Sequence, residues 1–246
     1  MFAKIYSVHL VSQLGYNFLF QDVDVLWYKN PLNWFNNETN PYYDRDIYFQ
    51  DDGSRTLHFA PYSANTGFYF VRNNERTKYF FNSLLMAGDL VISTFSHQTA
   101  LVALLAEHSS MYGLKVKVWS RDKEEFPGGV HYHQRPTFMK QMINGTVHPY
   151  IFHMSWTANK NDKIKYMQQM GEWYLDEERM SVATKTYSAA IDNKGDNDNI
   201  IGDQYHHNTP DCCSVKPIVK CHYRDKPSII PCTDSPLIDK DGESFW

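Results

Sequence analysis

The hydrophobic pattern at the start of the chain predicts a helix followed by a short strand. Apolar residues recur at near-helical spacing over 2–14, and Gly15 follows where a helix C-cap is expected. The next segment, 16–21, is a short apolar run bounded by glycine on one side and an acid on the other. Such a run is typical of a buried central strand, which would end directly before Asp22.

Helices and strands are predicted to continue up to residue 173. Short runs rich in β-branched and aromatic residues predict strands, and segments with one apolar face behind a capping residue predict helices. Asn74 and Ser96 are the expected capping residues of two helices. The predicted strands are 46–50, 67–71, 115–119 and 150–154, and the predicted helices after the first are 75–88, 97–106 and 162–173. This order indicates an α/β fold.

Beyond residue 176 the pattern changes. Periodic hydrophobicity fades, while glycine, asparagine and charged residues become frequent. We therefore expect a core domain over 1–175 and a turn-rich C-terminal extension over 176–246. The extension holds all four cysteines, and this even, clustered set favours a disulfide framework over a zinc site because it has no paired C-x-x-C spacing. These cysteines are Cys212, Cys213, Cys221 and Cys232.

Composition narrows the possible function classes. The 246 residues are 42% hydrophobic, which is enough for one sizeable α/β core. The net charge is -4 and the basic residues are scattered, so no nucleic-acid partner is expected. Aromatic residues make up 15% of the chain, which suits carbohydrate binding and an aromatic core equally well.

Targeting signals are sparse in this sequence. It contains no run of about 20 apolar residues and no signal-peptide pattern, so we expect no transmembrane segment within the chain. The triplets 37–39 and 144–146 are N-glycosylation acceptors that fit a lumenal or extracellular location, although such triplets also arise by chance. Any secretory targeting segment is expected to lie outside this chain.

The candidate chemistry centres on Asp22 and Asp24, directly after the predicted apolar strand. In an open α/β sheet, ligands bind beyond the carboxyl ends of the strands, so both carboxylates would face the binding crevice. Mg²⁺ and Mn²⁺ prefer oxygen ligands and keep positions open for substrate phosphates. An Asp-x-Asp triplet on its own often lies in a solvated loop, but the strand before it and the apolar run 25–27 after it favour a metal site.

A second candidate position lies at the end of predicted strand 150–154. His153 stands there, and Lys163 follows in the next helix. A strand-end histidine is often only a structural hydrogen bonder. With His153 on a metal and Lys163 on a diphosphate, however, the two residues would complete a clamp with Asp22 and Asp24.

Polar residues at three other predicted element ends are further candidates. Asn65 could read sugar hydroxyls and Gly67 allows close backbone approach, although Asn-x-Gly is also an ordinary turn. His97 and Gln98 stand in the first turn of a helix, where Gln98 could face a reacting carbon or simply cap the helix. Asp52, the second acid of a pair after a strand, is a possible acceptor-site base.

Residues 15–27, followed by 30–32, closely resemble the hallmark of the nucleotide-diphospho-sugar transferases of glycosyltransferase family 77. Segment 64–72 resembles the Asn-x-Gly strand of that family, and segment 153–163 resembles its terminal His…Lys motif. The pair at 97–98 sits where an Asp-Gln pair is usual. The resemblance covers about residues 2–173.

This resemblance implies a GT-A fold, a Rossmann-like mixed sheet flanked by helices, with Mn²⁺ (or Mg²⁺) bound by Asp22, Asp24 and His153. It implies a retaining enzyme that moves a hexosyl or pentosyl group from a nucleotide-sugar donor, such as a UDP-sugar, to a glycan or glycoprotein acceptor. Members of the family act in the Golgi on cell-wall polysaccharides or glycoproteins.

The resemblance also assigns roles to the remaining candidates. The glutamine of the Asp-Gln pair lies near the reacting carbon in such retaining enzymes, so Gln98 is placed on the reacting face. His97 replaces the usual acid, which removes a carboxylate contact to the donor sugar and indicates a different sugar preference. The expected donor-binding residues are Asp22, Asp24, Asn65, Gly67 and Lys163, and the catalytic candidates are Gln98, His97 and Asp52.

Two alternatives stay open. A GT-A domain normally begins with a strand that holds the nucleobase, whereas Met1 falls in the helix before the Asp-x-Asp segment. The first nucleotide-binding strand is thus expected to be missing, and the chain could be a degenerate or truncated non-catalytic domain. A haloacid-dehalogenase-like phosphatase also places Asp-x-Asp after a strand, but Leu26 stands where Thr or Val is usual there.

Overall fold

The computed structural model describes residues 2–119, 123–157 and 159–173. The described residues fall into two compact units, the first with the described residues up to 163 and the second with those from 164 onward. Only 164–173, most of the last helix and the residues after it, are described in the second unit. The four cysteines and the predicted extension lie outside the described residues, so the expected boundary after residue 175 stays a prediction.

The described part of the chain contains both helices and strands, interspersed along the sequence. The helices are α1 (Phe2–Gln13), α2 (Leu32–Phe35), α3 (Glu75–Met86), α4 (Gly88–Thr94), α5 (His97–Met111), α6 (Gly129–Gln134), α7 (Pro136–Ile143) and α8 (Lys160–Met170). The strands are β1 (Phe18–Gln21), β2 (Val25–Trp27), β3 (Ile47–Asp51), β4 (Ala64–Val71), β5 (Val116–Val118) and β6 (Ile151–His153). A 3-10 turn covers Leu57–Phe59.

The strands form a mixed sheet flanked by helices, which confirms the predicted fold class. Four strands lie in the order β1-β4-β3-β5, with β4 antiparallel to both of its neighbours and β5 parallel to β3. Strands β2 and β6 form a separate antiparallel pair.

Strands β3 and β4 are buried on both faces because alternate side chains enter two apolar clusters. Ile47 and Phe49 pack with residues of α1, α3 and α5, whereas Tyr48 packs on the other side with Phe35 of α2 and Ile151 of β6. Side chains of successive strand residues point to opposite faces, so one strand serves both clusters.

The expectation of a buried central strand at 16–21 is wrong in its placement. In the described sheet, β1 is an edge strand that pairs with β4 alone. The side chains of Phe18, Leu19 and Phe20 are half-buried, and that of Gln21 is exposed. A short apolar run cannot by itself distinguish an edge strand that is covered by a helix from a central one.

Strand β4 begins three residues before the predicted start at residue 67, so Asn65 also lies inside the strand and Gly67 is not its first residue. The register between β3 and β4 shifts after Phe49, where the β4 residues 66–68 have no β3 partner among the described residues. Bulges of this kind bend a strand and redirect its side chains. Gly67 therefore lies within an irregular part of the sheet, and Asn65 lies directly beside it.

The predicted capping residues begin their helices as expected. The Asn74 side chain accepts hydrogen bonds from the backbone N–H groups of Arg76 and Thr77, and the Ser96 hydroxyl accepts one from Thr99. These caps satisfy N–H groups that the first turn of a helix otherwise leaves unpaired. The start of α5 is thereby fixed beside the bulged part of β4.

Candidate functional site

Asp22, Asp24 and His153 come together at one end of the sheet. One potential ligand atom from each lies within 4.8 Å of the others. The pairing of β2 with β6 places His153 opposite Val25, and the Met154 N–H donates to the Asp24 carbonyl oxygen at 3.0 Å. This strand pair therefore brings two parts of the chain that are distant in sequence to the same place.

Gly67 makes this close approach possible. The Asp22 N–H donates to the Gly67 carbonyl oxygen at 2.7 Å, which continues the β1–β4 ladder past its last residue. A Cβ at position 67 would lie 2.8 Å from His153 Nε2, 2.9 Å from an Asp22 carboxylate oxygen and closer still to His153 Cε1. Only a residue without a side chain fits there without displacing those two groups.

Gln50 of β3 orients the His153 ring. The Gln50 amide nitrogen donates to the carbonyl oxygens of Phe126 and Pro127, at 3.0 and 2.8 Å. Its side-chain oxygen, 2.7 Å from His153 Nδ1, must therefore accept a hydrogen bond from the ring. His153 Nε2 lies 3.5 Å from the Asp24 carboxylate. An imidazole oriented in this way, with Nε2 toward the aspartates, is suited to bind a metal.

Two lysines neutralise the aspartates. Lys4 of α1 lies 2.5 Å from Asp22, and Lys163 of α8 lies 2.5 Å from Asp24. Burial alone would raise the pKa of Asp24, but the hydrogen bonds and charges of His153 and Lys163 hold that pKa well below its usual range. Both carboxylates thus carry a basic partner.

The donor set fits a divalent cation. Two carboxylates and one imidazole nitrogen offer mostly hard ligands, and His153 Nε2 lies beside the Asp24 carboxylate. The side chains of Asp22 and Asp24 are 28% and 12% exposed, so the site is accessible without being fully solvated.

A second group of polar side chains surrounds Asp52. One Asp52 carboxylate oxygen accepts hydrogen bonds from the amides of Asn65 and Gln98, both at 2.9 Å. The Asn65 side-chain oxygen accepts the Gly67 N–H at 2.7 Å, so the network reaches the metal-ligand cluster. The Gln98 oxygen accepts from both the N–H and the hydroxyl of Thr66, each at 3.0 Å. The Gln98 amide is thus held rigidly between Asp52 and Thr66.

His97 is a neutral base in this arrangement. Burial and the nearby Lys4 charge lower the pKa of His97 to about 4, although the Asp22 charge opposes the shift. The Thr66 hydroxyl donates to Gln98, so the contact of 3.0 Å between Thr66 and His97 Nε2 requires that the ring carry its proton on Nε2. His97 therefore begins a directed chain of hydrogen bonds that ends at Asp52.

The arrangement includes three residues that sequence analysis did not identify: Lys4, Gln50 and Trp156. Lys4 lies on helix α1, which the sequence predicts from its apolar residues alone, and Gln50 lies in a predicted strand. The Trp156 indole N–H donates to the Asp52 carbonyl oxygen at 2.6 Å. All three contacts depend on the packing of separate elements, for which a single sequence gives no direct signal.

The sequence profile of the nucleotide-diphospho-sugar transferase family matches residues 1–167. The chain belongs to this family. Among its relatives is the UDP-galactose:fucoside alpha-3-galactosyltransferase of Dictyostelium discoideum, which is 24% identical over 202 residues that cover 75% of this chain and 29% of that protein. The beta-arabinofuranosyltransferase RAY1 of Arabidopsis thaliana is 25% identical over 193 residues, 70% of this chain and 33% of that protein.

This member of the family spans about a third of the length of each of those two relatives. A solved structure of a glycosyltransferase involved in the glycosylation of the major capsid of PBCV-1 is also similar, with a TM-score of 0.42 and 14% identity. That similarity covers 69% of this chain and 74% of the other. Within the described residues, no helix has the length and apolar character needed to cross a bilayer.

Proposed function

We propose that this chain carries the donor-binding and catalytic site of a retaining glycosyltransferase that transfers a sugar from a UDP-sugar to a glycan or glycoprotein acceptor. The observation that carries the proposal is the group of Asp22, Asp24 and His153, whose ligand atoms lie within 4.8 Å of one another in a nucleotide-diphospho-sugar transferase. Such a group is suited to Mn²⁺ (or Mg²⁺), the ions that usually accompany a nucleoside diphosphate.

The leaving group in this reaction is a nucleoside diphosphate, on which negative charge develops as the glycosidic bond breaks. The bound cation would supply electrostatic stabilisation of that charge. Lys4 and Lys163 supply two further cations beside Asp22 and Asp24. We propose that both ammonium groups donate to diphosphate oxygens once a donor is bound, because these donors can rotate away from the carboxylates.

The residues around Asp52 form the proposed reacting face. Asn65 and Gln98 hold their amides in fixed orientations through Asp52, and prepositioned dipoles are effective where charge changes during a reaction. His97 contributes a neutral ring beside the donor sugar. One relative is named for transfer from UDP-galactose to a fucoside, which supports a UDP-sugar donor and a sugar acceptor here.

We place this activity in the secretory pathway, most simply in the Golgi lumen. Both glycosylation triplets are exposed, at 37–39 and 144–146. In each, the asparagine oxygen accepts hydrogen bonds from the threonine N–H and hydroxyl two residues later. The haloacid-dehalogenase-like phosphatase alternative has no support from the family match.

Calorimetric titration of the full chain with UDP, with and without Mn²⁺, tests the proposal. We expect Mn²⁺-dependent binding that Asp24→Asn weakens at least about tenfold, since the variant loses an ionised ligand. Asp44→Asn is the matched control, because Asp44 is an exposed aspartate that pairs with Lys115. Transfer from UDP-sugars should show the same dependence. Metal-independent binding, or equal binding by Asp24→Asn, would rule the assignment out.

A further inference from the structure

Trp156 has a backbone conformation that its own side chain disfavours. Its φ is 61°, in the left-handed region, where a bulky residue is rare and costs free energy. The side chain is nevertheless a large apolar one that stays 43% exposed. Such strain persists only where the surrounding structure holds it, and it is concentrated at sites that bind ligands.

Three contacts hold Trp156 in place. Its indole N–H donates to the Asp52 carbonyl oxygen at 2.6 Å, and the His133 ring makes a hydrogen bond to its backbone. The preceding residue, Ser155, accepts the Gly129 N–H with its hydroxyl at 2.9 Å. A Cβ on Gly129 would collide with the Ser155 carbonyl group and lie 2.9 Å from Trp156 Cβ, so this turn packs directly on the start of α6.

The ring lies on the reacting-face side of the site. Asp52, whose carbonyl oxygen accepts the indole N–H, also holds the Gln98 and Asn65 amides with its carboxylate. Trp156 follows His153 by three residues, so the two Cα atoms are at most roughly 10 Å apart. The lysines proposed to contact the diphosphate bind Asp22 and Asp24, not Asp52.

We infer that the exposed face of Trp156 is the stacking platform for the acceptor sugar. The inference rests on the proposed function and assigns the acceptor subsite within it. Because the indole N–H is already donated to Asp52, the ring presents mainly an apolar surface. The C–H face of a pyranose or furanose ring complements such a surface.

Two substitutions separate the ring from its anchoring hydrogen bond. Trp156→Gly deletes the ring at a φ that glycine adopts freely, so the turn is preserved. Trp156→Phe keeps an aromatic face and removes the N–H donor. Tyr16→Ala is the matched control, because Tyr16 is a 68% exposed aromatic before β1, at the strand end away from Asp22.

The full chain is assayed for UDP release with a UDP-sugar, Mn²⁺ and the methyl glycosides of fucose, galactose, xylose and arabinofuranose as probes. We expect Trp156→Gly to raise the acceptor KM about tenfold and to retain the Mn²⁺-dependent affinity for UDP. Trp156→Phe should retain most of the acceptor affinity, and Tyr16→Ala should match the wild type.

Three results would overturn the inference. An unchanged acceptor KM in Trp156→Gly would show that the ring does not bind the acceptor. A parallel loss of UDP affinity would assign the ring to the donor nucleobase instead. No stimulation of UDP release by any glycoside, with normal Mn²⁺-dependent UDP binding, would contradict this inference alone, whereas loss of that binding in the wild type would contradict the proposed function as well.

Discussion

At Gly67, strand β4 passes directly beside the His153 ring and the Asp22 carboxylate. We expect Gly67→Ala to abolish or strongly weaken Mn²⁺-dependent UDP binding, because the added methyl group would displace both ligands. A displacement of about 1 Å at such a site is enough to cost roughly 100-fold in activity. The measurement is calorimetric titration with UDP and Mn²⁺, accompanied by a thermal melt without ligand.

Gly88→Ala is the control for this substitution. Gly88 begins α4, and a Cβ there would meet the Phe2 ring at 3.4 Å, an ordinary packing distance. Alanine also favours a helix over glycine. We therefore expect Gly88→Ala to bind UDP as the wild type does. Equal UDP binding by both variants would show that the close approach at Gly67 is not required.

Gln50 gives a second residue-level prediction, because it accepts a hydrogen bond from His153 Nδ1 and so orients the ring. Gln50→Leu should reduce metal affinity by about 10–100-fold, the usual effect of losing a partner that orients a ligand. Mn²⁺ titration followed by electron paramagnetic resonance measures this directly. A metal-free melt separates the effect from destabilisation, since Gln50 also donates to two buried carbonyl groups. Unchanged Mn²⁺ affinity would refute the orienting role.

The positions of Asp22 and Asp24 could be predicted from sequence because an apolar strand ends directly before them. The approach of His153 to them could not, since it depends on the pairing of two strands that are far apart in sequence. The contacts of Lys4 with Asp22 and of Gln50 with His153 could not be predicted for the same reason. Local patterns place single residues at element ends, whereas only tertiary packing decides which ends meet.

At the scale of elements, Asp46 joins the start of α3 to strands β3 and β5. Its carboxylate accepts hydrogen bonds from the Arg76 guanidinium at 2.7 and 2.8 Å, the Asn74 amide at 2.8 Å and the Lys115 N–H at 2.9 Å. The residue is only 3% exposed. A buried carboxylate with this many donors is costly to replace.

We expect Asp46→Asn to lower the free energy of unfolding by about 2–3 kcal/mol. The Arg76 charge loses its charged partner, and the NH₂ group of the new asparagine faces N–H groups that need an acceptor. Chemical denaturation at neutral pH measures the change. Asp44→Asn is again the matched control, since the Asp44 side chain is 58% exposed and surface ion pairs contribute little. Equal destabilisation by the two variants would show that Asp46 does not stabilise the contact of α3 with β3 and β5.

The hydrogen bonds to Asp46 also predict how the free energy of unfolding depends on pH. Burial alone would raise the pKa of Asp46, but hydrogen bonds from Arg76, Lys115 and Asn74 lower that pKa overall. A lowered folded pKa means that the stabilisation is complete above the unfolded value of about 3.9 and is lost as the pH falls below it. The stability difference between wild type and Asp46→Asn should therefore be constant near neutral pH and shrink below about pH 4. A difference that stays constant down to pH 2 would contradict this.

Element boundaries were predictable where a local signal existed. Asn74 and Ser96 mark the starts of α3 and α5 because side-chain caps act within one helical turn. The edge position of β1 and the bulge at 66–68 were not predictable, since both are properties of strand pairing. Strand β2 is three residues long, too short for an alternation pattern to be read.

At the scale of the whole molecule, the described site is balanced in charge. Lys4 and Lys163 each pair with one of the two metal-ligand aspartates. A divalent cation that enters must compete with these lysines for the carboxylate oxygens, which opposes metal binding. A nucleoside diphosphate supplies new acceptors for the displaced ammonium groups, which removes that opposition. Metal and nucleotide binding should therefore be coupled.

We expect Mn²⁺ and UDP together to raise the melting temperature by more than the sum of their separate effects. At 100 times the Kd a ligand adds about 2.7 kcal/mol, which corresponds to a rise on the order of 5–10 °C for a chain of this size. Lys4→Met tests the cause: without this ammonium group, Mn²⁺ alone should stabilise the protein more and the synergy with UDP should fall. Because coupling is reciprocal, UDP affinity must rise with Mn²⁺ by the same factor that Mn²⁺ affinity rises with UDP. Strictly additive shifts in the wild type, or undiminished synergy in Lys4→Met, would show that the lysines do not exchange between carboxylate and diphosphate.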